Sequence, residues 1–137
     1  MVDRDGRRRA GLLLMAASAC ATGAYSPCPV EVPGGLPPGA FRACRLVLAD
    51  RYGPLAVADE ASFLLQTEWV PVLATTAERR ATVFRDGCGG LPEGLAVVVE
   101  TRRLTEPLVG MPAWTPSRGD PAAERELADW LTEALSH

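Results

Sequence analysis

Segments of helical and strand periodicity follow one another along the chain, and their order sets the expected fold. From Ala40 to Arg51 the apolar residues Phe41, Cys44, Val47 and Leu48 recur at helical spacing, and Gly53-Pro54 closes the segment. Leu55 and Val57 then alternate as in a short strand, up to the turn-like run Asp59-Glu60-Ala61-Ser62. Phe63 to Leu73 is expected to be a longer strand, with Phe63, Leu65, Thr67 and Trp69 on one face. Thr75 to Arg79 is expected as a loop, Arg80 to Arg85 as a third strand and Asp86 to Gly90 as the next turn. Leu95 to Leu104 makes the fourth strand, with Leu95, Val97 and Val99 inward and Val98, Glu100 and Arg102 outward. Residues 105–119 hold Pro107, Pro112, Pro116 and Trp114 and are expected to cross over as a long loop. The last element carries the strongest pattern. Asp120 suits an N-cap, Pro121 the first helical position and Glu124 the positive helix start. Ala123, Leu127, Trp130, Leu131 and Ala134 form its apolar stripe.

Helix, four-strand antiparallel meander and helix together predict an α+β two-layer sandwich over residues 38–137, with both helices on one face of the sheet. Trp69 and Trp130 are expected in its core. The opposite face would then carry Leu64, Val70, Val72, Phe84 and Val98 among Gln66, Glu68, Thr82, Glu100 and Arg102. That is more apolar than a solvated antiparallel face needs, which makes Leu64, Val70, Val72 and Val98 a candidate partner surface. The alternative is that the crossing loop, with Leu108, Met111 and Trp114, folds over this face and buries it.

Upstream, Arg7 to Arg9 form a positive segment, Ala10 to Ala17 an apolar one, and Ala17-Ser18-Ala19 stands directly before Cys20. This order predicts an export signal over residues 1–19. As a helix the apolar run from Ala10 to Ala19 would rise only about 15 Å, half of a bilayer core. A cysteine at the cleavage point resembles the lipobox of bacterial lipoproteins, which makes Cys20 the candidate lipidation site. Ala-Ser-Ala also satisfies the plain small-x-small rule, which would release a soluble protein instead. Residues 20–37, rich in Pro and Gly, are expected to tether the anchor to the domain.

Composition narrows the function classes. Removing the signal leaves about 118 residues, enough for one domain, and moves the formal charge from −3 to about −5. A mildly acidic domain makes both nucleic acid and an anionic membrane surface poor partners. Ile, Asn and Lys are absent, so the use of Arg for every cation reflects a GC-rich coding bias rather than a choice of guanidinium chemistry. The single histidine is His137, the last residue, which leaves no Ser-His-Asp or Cys-His arrangement and no histidine-based metal site within the domain. No enzyme activity, metal, cofactor or small-molecule substrate is expected.

With Cys20 acylated, Cys28, Cys44 and Cys88 remain, and the expected disulfide joins Cys44 to Cys88 because both fall in predicted structure. Closing that loop of about 45 residues would stabilise the fold by roughly 4 kcal/mol. Without acylation a second bridge, Cys20 to Cys28, becomes available. The string Gly87-Cys88-Gly89-Gly90 lacks the following helix and the lysine of a phosphate loop, so it is expected as a hairpin turn. The doublets Arg79-Arg80 and Arg102-Arg103 suggest an anion site, but strand alternation puts only one member of each on a given side.

The run Asp59-Glu60-Ala61-Ser62-Phe63-Leu64-Leu65-Gln66-Thr67-Glu68-Trp69, after a helix and Tyr52-Gly53, resembles a pattern in small Gram-negative envelope lipoprotein domains. The comparison is with the repeated domains of a lipoprotein of the β-barrel assembly machinery. It covers Pro38 to about Leu135 and implies a non-enzymatic envelope accessory protein with an envelope protein partner. Ala21 after Cys20 lacks the Asp of inner-membrane retention, so the expected home is the outer membrane, facing the periplasm. The reading from another class is a soluble periplasmic small-ligand carrier or enzyme, released by plain signal cleavage.

Overall fold

Gly94–Thr105 is the strand on which the sheet is built, and its Val97-Val98-Val99 run suits a pleat packed on both faces. The computed structural model describes residues 27–86 and 94–136. In chain order the elements are β1 (Cys28–Val30), α1 (Ala40–Arg51), β2 (Leu55–Asp59), β3 (Leu64–Thr67) and β4 (Val70–Pro71). They continue as β5 (Ala77–Asp86), β6 (Gly94–Thr105), β7 (Ala113–Trp114), β8 (Arg118–Gly119) and α2 (Pro121–Leu135). The chain is thus α+β, with an antiparallel sheet and two helices. Its main path runs β1-β6-β5-β3-β2. β6 pairs with β5 from Gly94 to Arg103, and its other edge is shared by β1, β8 and β7 in turn.

Both helices span the stretches of chain that the sequence predicts as helical. In α1, Cys44 and Leu48 are buried, and Gly53 after its end takes φ 136, a conformation few residues but glycine adopt. A Cβ at Gly53 would also come within 3.0 Å of Val70 Cγ2. In α2, Asp120 Oδ1 accepts the Ala123 N–H at 3.1 Å, which is the expected cap. Odd-numbered sheet residues Leu65, Thr67, Ala81, Val83, Leu95, Val97 and Val99 are fully or almost fully buried, as are Cys44, Leu48, Leu127 and Leu131 from the helices.

Four expectations are corrected. The stretch read as tether is partly structured: β1 pairs Cys28 with Val97 and Val30 with Leu95, and Val30 is buried. The loop expected at Thr75 to Arg79 is shorter, because β5 already starts at Ala77. The long strand from Phe63 breaks at Glu68-Trp69 into β3 and β4, and the alternation slips there by one residue. Trp69 therefore leaves the core face and lies over Arg80 and Arg102 on the even-numbered face. By the same slip Val70 pairs with Arg79 and approaches Gly53, so it turns to the odd-numbered side.

The fourth correction concerns residues 105–119. Of Leu108, Met111 and Trp114, Trp114 alone reaches the even-numbered face, where its ring lies 4.3 Å from the Arg102 guanidinium. The segment turns back along β6 as a hairpin, with Ala113 opposite Thr105 and Trp114 opposite Leu104, and Leu108 and Met111 are exposed at its tip. Trp130 is half-buried against the core, with the Arg51 guanidinium 4.4 Å above its ring.

At the strand break, the Thr67 side chain stands in for a backbone acceptor. Its buried Oγ1 accepts the Ala81 N–H at 3.0 Å, one position beyond the last β3–β5 pair, Gln66 with Thr82. Thr67→Val keeps the shape but orphans that N–H, and the expected loss is about 1–3 kcal/mol. Urea unfolding checks this: an unchanged midpoint would assign Ala81 another acceptor.

Candidate functional site

Strand alternation splits the two arginine doublets as their sequence requires, and β8 adds a third cation to one side. Arg79 of β5 stands opposite Thr101 of β6, and Thr101 stands opposite Arg118 of β8. The three residues form one cross-strand row on the odd-numbered side, which puts Arg79 and Arg118 about 10 Å apart at the backbone. Arg103, two residues beyond Thr101, faces the same way, one row nearer the hairpin tip. Together with Val72, Thr75, Ala77, Thr115 and Asp120 these residues line a cleft of about 640 Å³.

The cleft is cationic. Among the described residues the ion pairs of the sheet engage Arg80 and Arg102, and none engages Arg79, Arg103 or Arg118. Asp120 is the carboxylate in the lining, and it caps α2. Arg79 is held in place by Tyr52, whose ring lies 4.6 Å beneath its guanidinium. Burial pushes the Tyr52 hydroxyl above its ordinary value, and the charge of Arg79 draws it partly back. Arg103 is fixed at its backbone: its N–H donates to Thr115 Oγ1 at 3.0 Å, and its carbonyl accepts the Thr115 N–H at 2.8 Å.

The even-numbered side carries a stacked network. Arg80 reaches both carboxylate oxygens of Glu100 at 3.0 Å, and Arg102 donates to Glu78 at 3.1 Å. Trp69 lies across both guanidinium groups, at 4.5 Å from Arg80 and 4.1 Å from Arg102. Trp114 closes the other side of Arg102 at 4.3 Å, so this guanidinium is held between two indole rings. Trp114 thus ties its hairpin to Arg102 and stays 41 % exposed.

The expected partner surface is divided by the strand break. Leu64 and Val98 share the even-numbered side, where Phe84 stands opposite Leu64. Val70 does not join them, since it pairs with Arg79, and Val72 lines the arginine cleft. Arg118 has no periodic signal in the sequence, because it lies in a short stretch behind Pro116 without apolar alternation. Its only mark is its place two residues before the Asp120 cap.

Two titratable groups shifted by burial lie near β1. Cys28, half-buried at the sheet edge, has its thiol pushed up first by burial and then by the carboxylate of Glu124. Glu124 is only 2 % exposed, and burial pushes its carboxyl up to about 7 although the Val99 backbone N–H bonds to it. Cys44 is a free thiol in the core, pushed up to about 12 by burial. Its expected disulfide partner Cys88, and the lipidation site Cys20, lie outside the described residues. Among the described residues no helix is long and apolar enough to cross a membrane, and no cluster of metal-ligating side chains occurs.

Compared with family models, curated proteins and solved structures, the chain gives no match in any of the three. The resemblance to envelope lipoprotein domains rests on the run from Asp59 to Trp69 and the helix before it.

Proposed function

We propose that this chain is an exported, lipid-anchored envelope module that acts by binding rather than by catalysis. The observation that carries the binding half is the convergence of Arg79, Arg103 and Arg118 on one cleft without carboxylate partners among the described residues. Such a site suits an anionic group, since guanidinium donors match carboxylate and phosphate oxygens in pairs. The anchoring half is supported by the sequence order of Arg7 to Arg9, an apolar run, and Ala17-Ser18-Ala19 before Cys20.

In this reading the domain is a two-layer sandwich with both helices on one side of the sheet. Supporting it, α1 and α2 pack on each other, α2 packs on β1 and β6, and α1 on β2 and β3. The space between the helices and the sheet is filled by Leu48, Leu65, Val83, Leu127 and Leu131, all fully buried. A ligand therefore has the peripheral cleft rather than the core to enter. An envelope protein partner would meet the even-numbered side at Leu64, Phe84 and Val98.

Acylated Cys20 should hold the protein in the membrane fraction, because two or three acyl chains anchor far more firmly than one. Cys20→Ala is expected to move it to the soluble fraction. Intact mass of the wild-type protein should show the added chains, and an unmodified Cys20 would end the anchored reading. In that event the cleft favours the second reading, a soluble carrier of a small anion released by cleavage after Ala19.

A further inference from the structure

We propose that the end of the sheet bearing the arginine cleft is a second membrane contact, one that docks on an anionic phospholipid surface. The proposal rests on the reading of the chain as lipid-anchored and adds which part of the domain faces the bilayer and what lipid charge it selects.

Four apolar side chains stand in water at this one end. Leu108, Val109 and Met111, on the tip between β6 and β7, are 106 %, 91 % and 86 % exposed, and Leu73 on the β4–β5 turn is 93 % exposed. The two tips are neighbours, because the Leu104 N–H donates to the Thr76 carbonyl at 3.0 Å. A monomer in water gains nothing from such a group. Behind the tip the residue types change in layers. Trp114, opposite Leu104, is a half-exposed indole of the kind that favours the headgroup boundary. Arg103 follows at the next position of β6, and Arg118 and Arg79 lie a further row back. At about 3.3 Å per strand residue, Arg103 sits roughly 10 Å behind the hairpin's turn, at phosphate depth when the tip enters the acyl boundary. Glu106 is the carboxylate of this tip, and it is exposed and flanks the apolar residues on the side toward β6.

Chain direction gives an independent argument. β1 is antiparallel to β6, with Val30 opposite Leu95 and Cys28 opposite Val97. Followed backwards from Cys28, the strand therefore heads toward Thr105 and the apolar end. Cys20 stands eight residues upstream of Cys28. Those residues span at most about 29 Å. Along β6 the distance from Val97 to Thr105 is about 27 Å, so the reach of those residues is of the order of the distance to the level of Thr105, where the hairpin begins and where headgroups lie when the tip is inserted.

The test removes the lipid anchor so that only this surface is read. Cys20→Ala keeps Ala17-Ser18-Ala19 for ordinary cleavage, and the processed protein is sedimented with phosphatidylglycerol vesicles and with phosphatidylcholine vesicles. Binding to the anionic vesicles at least tenfold above the neutral ones is expected, falling as salt rises. In that background Leu108→Asp with Met111→Asp should lower binding at least tenfold. Arg103→Gln with Arg118→Gln should cost about fivefold for each arginine on the anionic vesicles and little on the neutral ones. All four positions are exposed, so thermal unfolding should be unchanged and serves as the control. Equal binding to both vesicle types, binding indifferent to the tip substitutions, or no vesicle binding would each overturn the proposal. Inorganic phosphate binding to the cleft without any vesicle binding would also overturn it, in favour of a free anion. None of these outcomes touches the anchor, which is read from the mass of Cys20.

Discussion

Leu131→Ala is expected to destabilise the domain by about 2–5 kcal/mol, a large part of the 5–15 kcal/mol by which a domain of this size is stable. Leu131 is fully buried on α2 and belongs to one cluster with Leu127, Cys44 and Leu48 from the helices and Leu95, Val97 and Val99 from β6. Truncating the side chain there leaves a cavity between layers that rigid strands cannot close, so the upper half of the range applies. Thermal or urea unfolding measures it. A loss below about 1 kcal/mol would mean that α2 is not docked on the sheet. The neighbouring Glu133, exposed on the same helix, is the matched control, since its replacement by Ala should change stability by less than about 0.5 kcal/mol.

The second large effect depends on pH. Burial raises the Glu124 carboxyl from an ordinary 4.5 to about 7, with Asp120 adding to the rise and the Val99 N–H opposing it. Its Oε2 is buried without a hydrogen-bond partner among the described residues. Between these two values the folded chain holds a proton that the unfolded chain has released, so stability falls as pH rises through the window. The loss reaches about 3 kcal/mol above pH 7, at 1.36 kcal/mol per unit, and is absent below about pH 4.5, where both states are protonated. Glu124→Gln keeps the acceptor for Val99 and removes the titration. The variant should match the wild type near pH 4 and exceed it by about 3 kcal/mol at pH 8. A wild-type stability that rises from pH 5 to 7 would show that Glu124 is charged in the folded state.

Local signals make the helices legible, and long-range pairing hides much of the sheet. The bounds of α2 follow from Asp120, Pro121 and a stripe of apolar residues, all within one stretch of chain. The break between β3 and β4 has no such signal. Apolar letters continue through Trp69, Val70 and Val72, and the slip becomes visible only when Thr67 takes the Ala81 N–H and Val70 meets Arg79. β1 is concealed by Pro29, which argues against a strand until its position is known. As an edge strand with β6 as its neighbour, it tolerates a residue without an N–H. The alternation of the arginine doublets is plain from their spacing. The cleft they open is not, because its third member, Arg118, arrives on a two-residue strand set by pairing with Glu100 and Thr101.

The position of β6 in the sheet also fixes when the chain can fold. Four of the sheet's strands, β1, β5, β7 and β8, pair with a strand that ends at Thr105, and β1, the first strand among the described residues, waits for partners Leu95 to Val97. As the polypeptide emerges from the ribosome, α1, β2 and β3 can collapse only loosely, since β5 lacks its longest ladder and β1 lacks β6, its neighbour among the described residues. Pairings this distant in sequence slow the first formation of the sheet. Most of the chain is synthesised before a stable structure can exist, which leaves it threadable through a narrow channel for the whole of that interval.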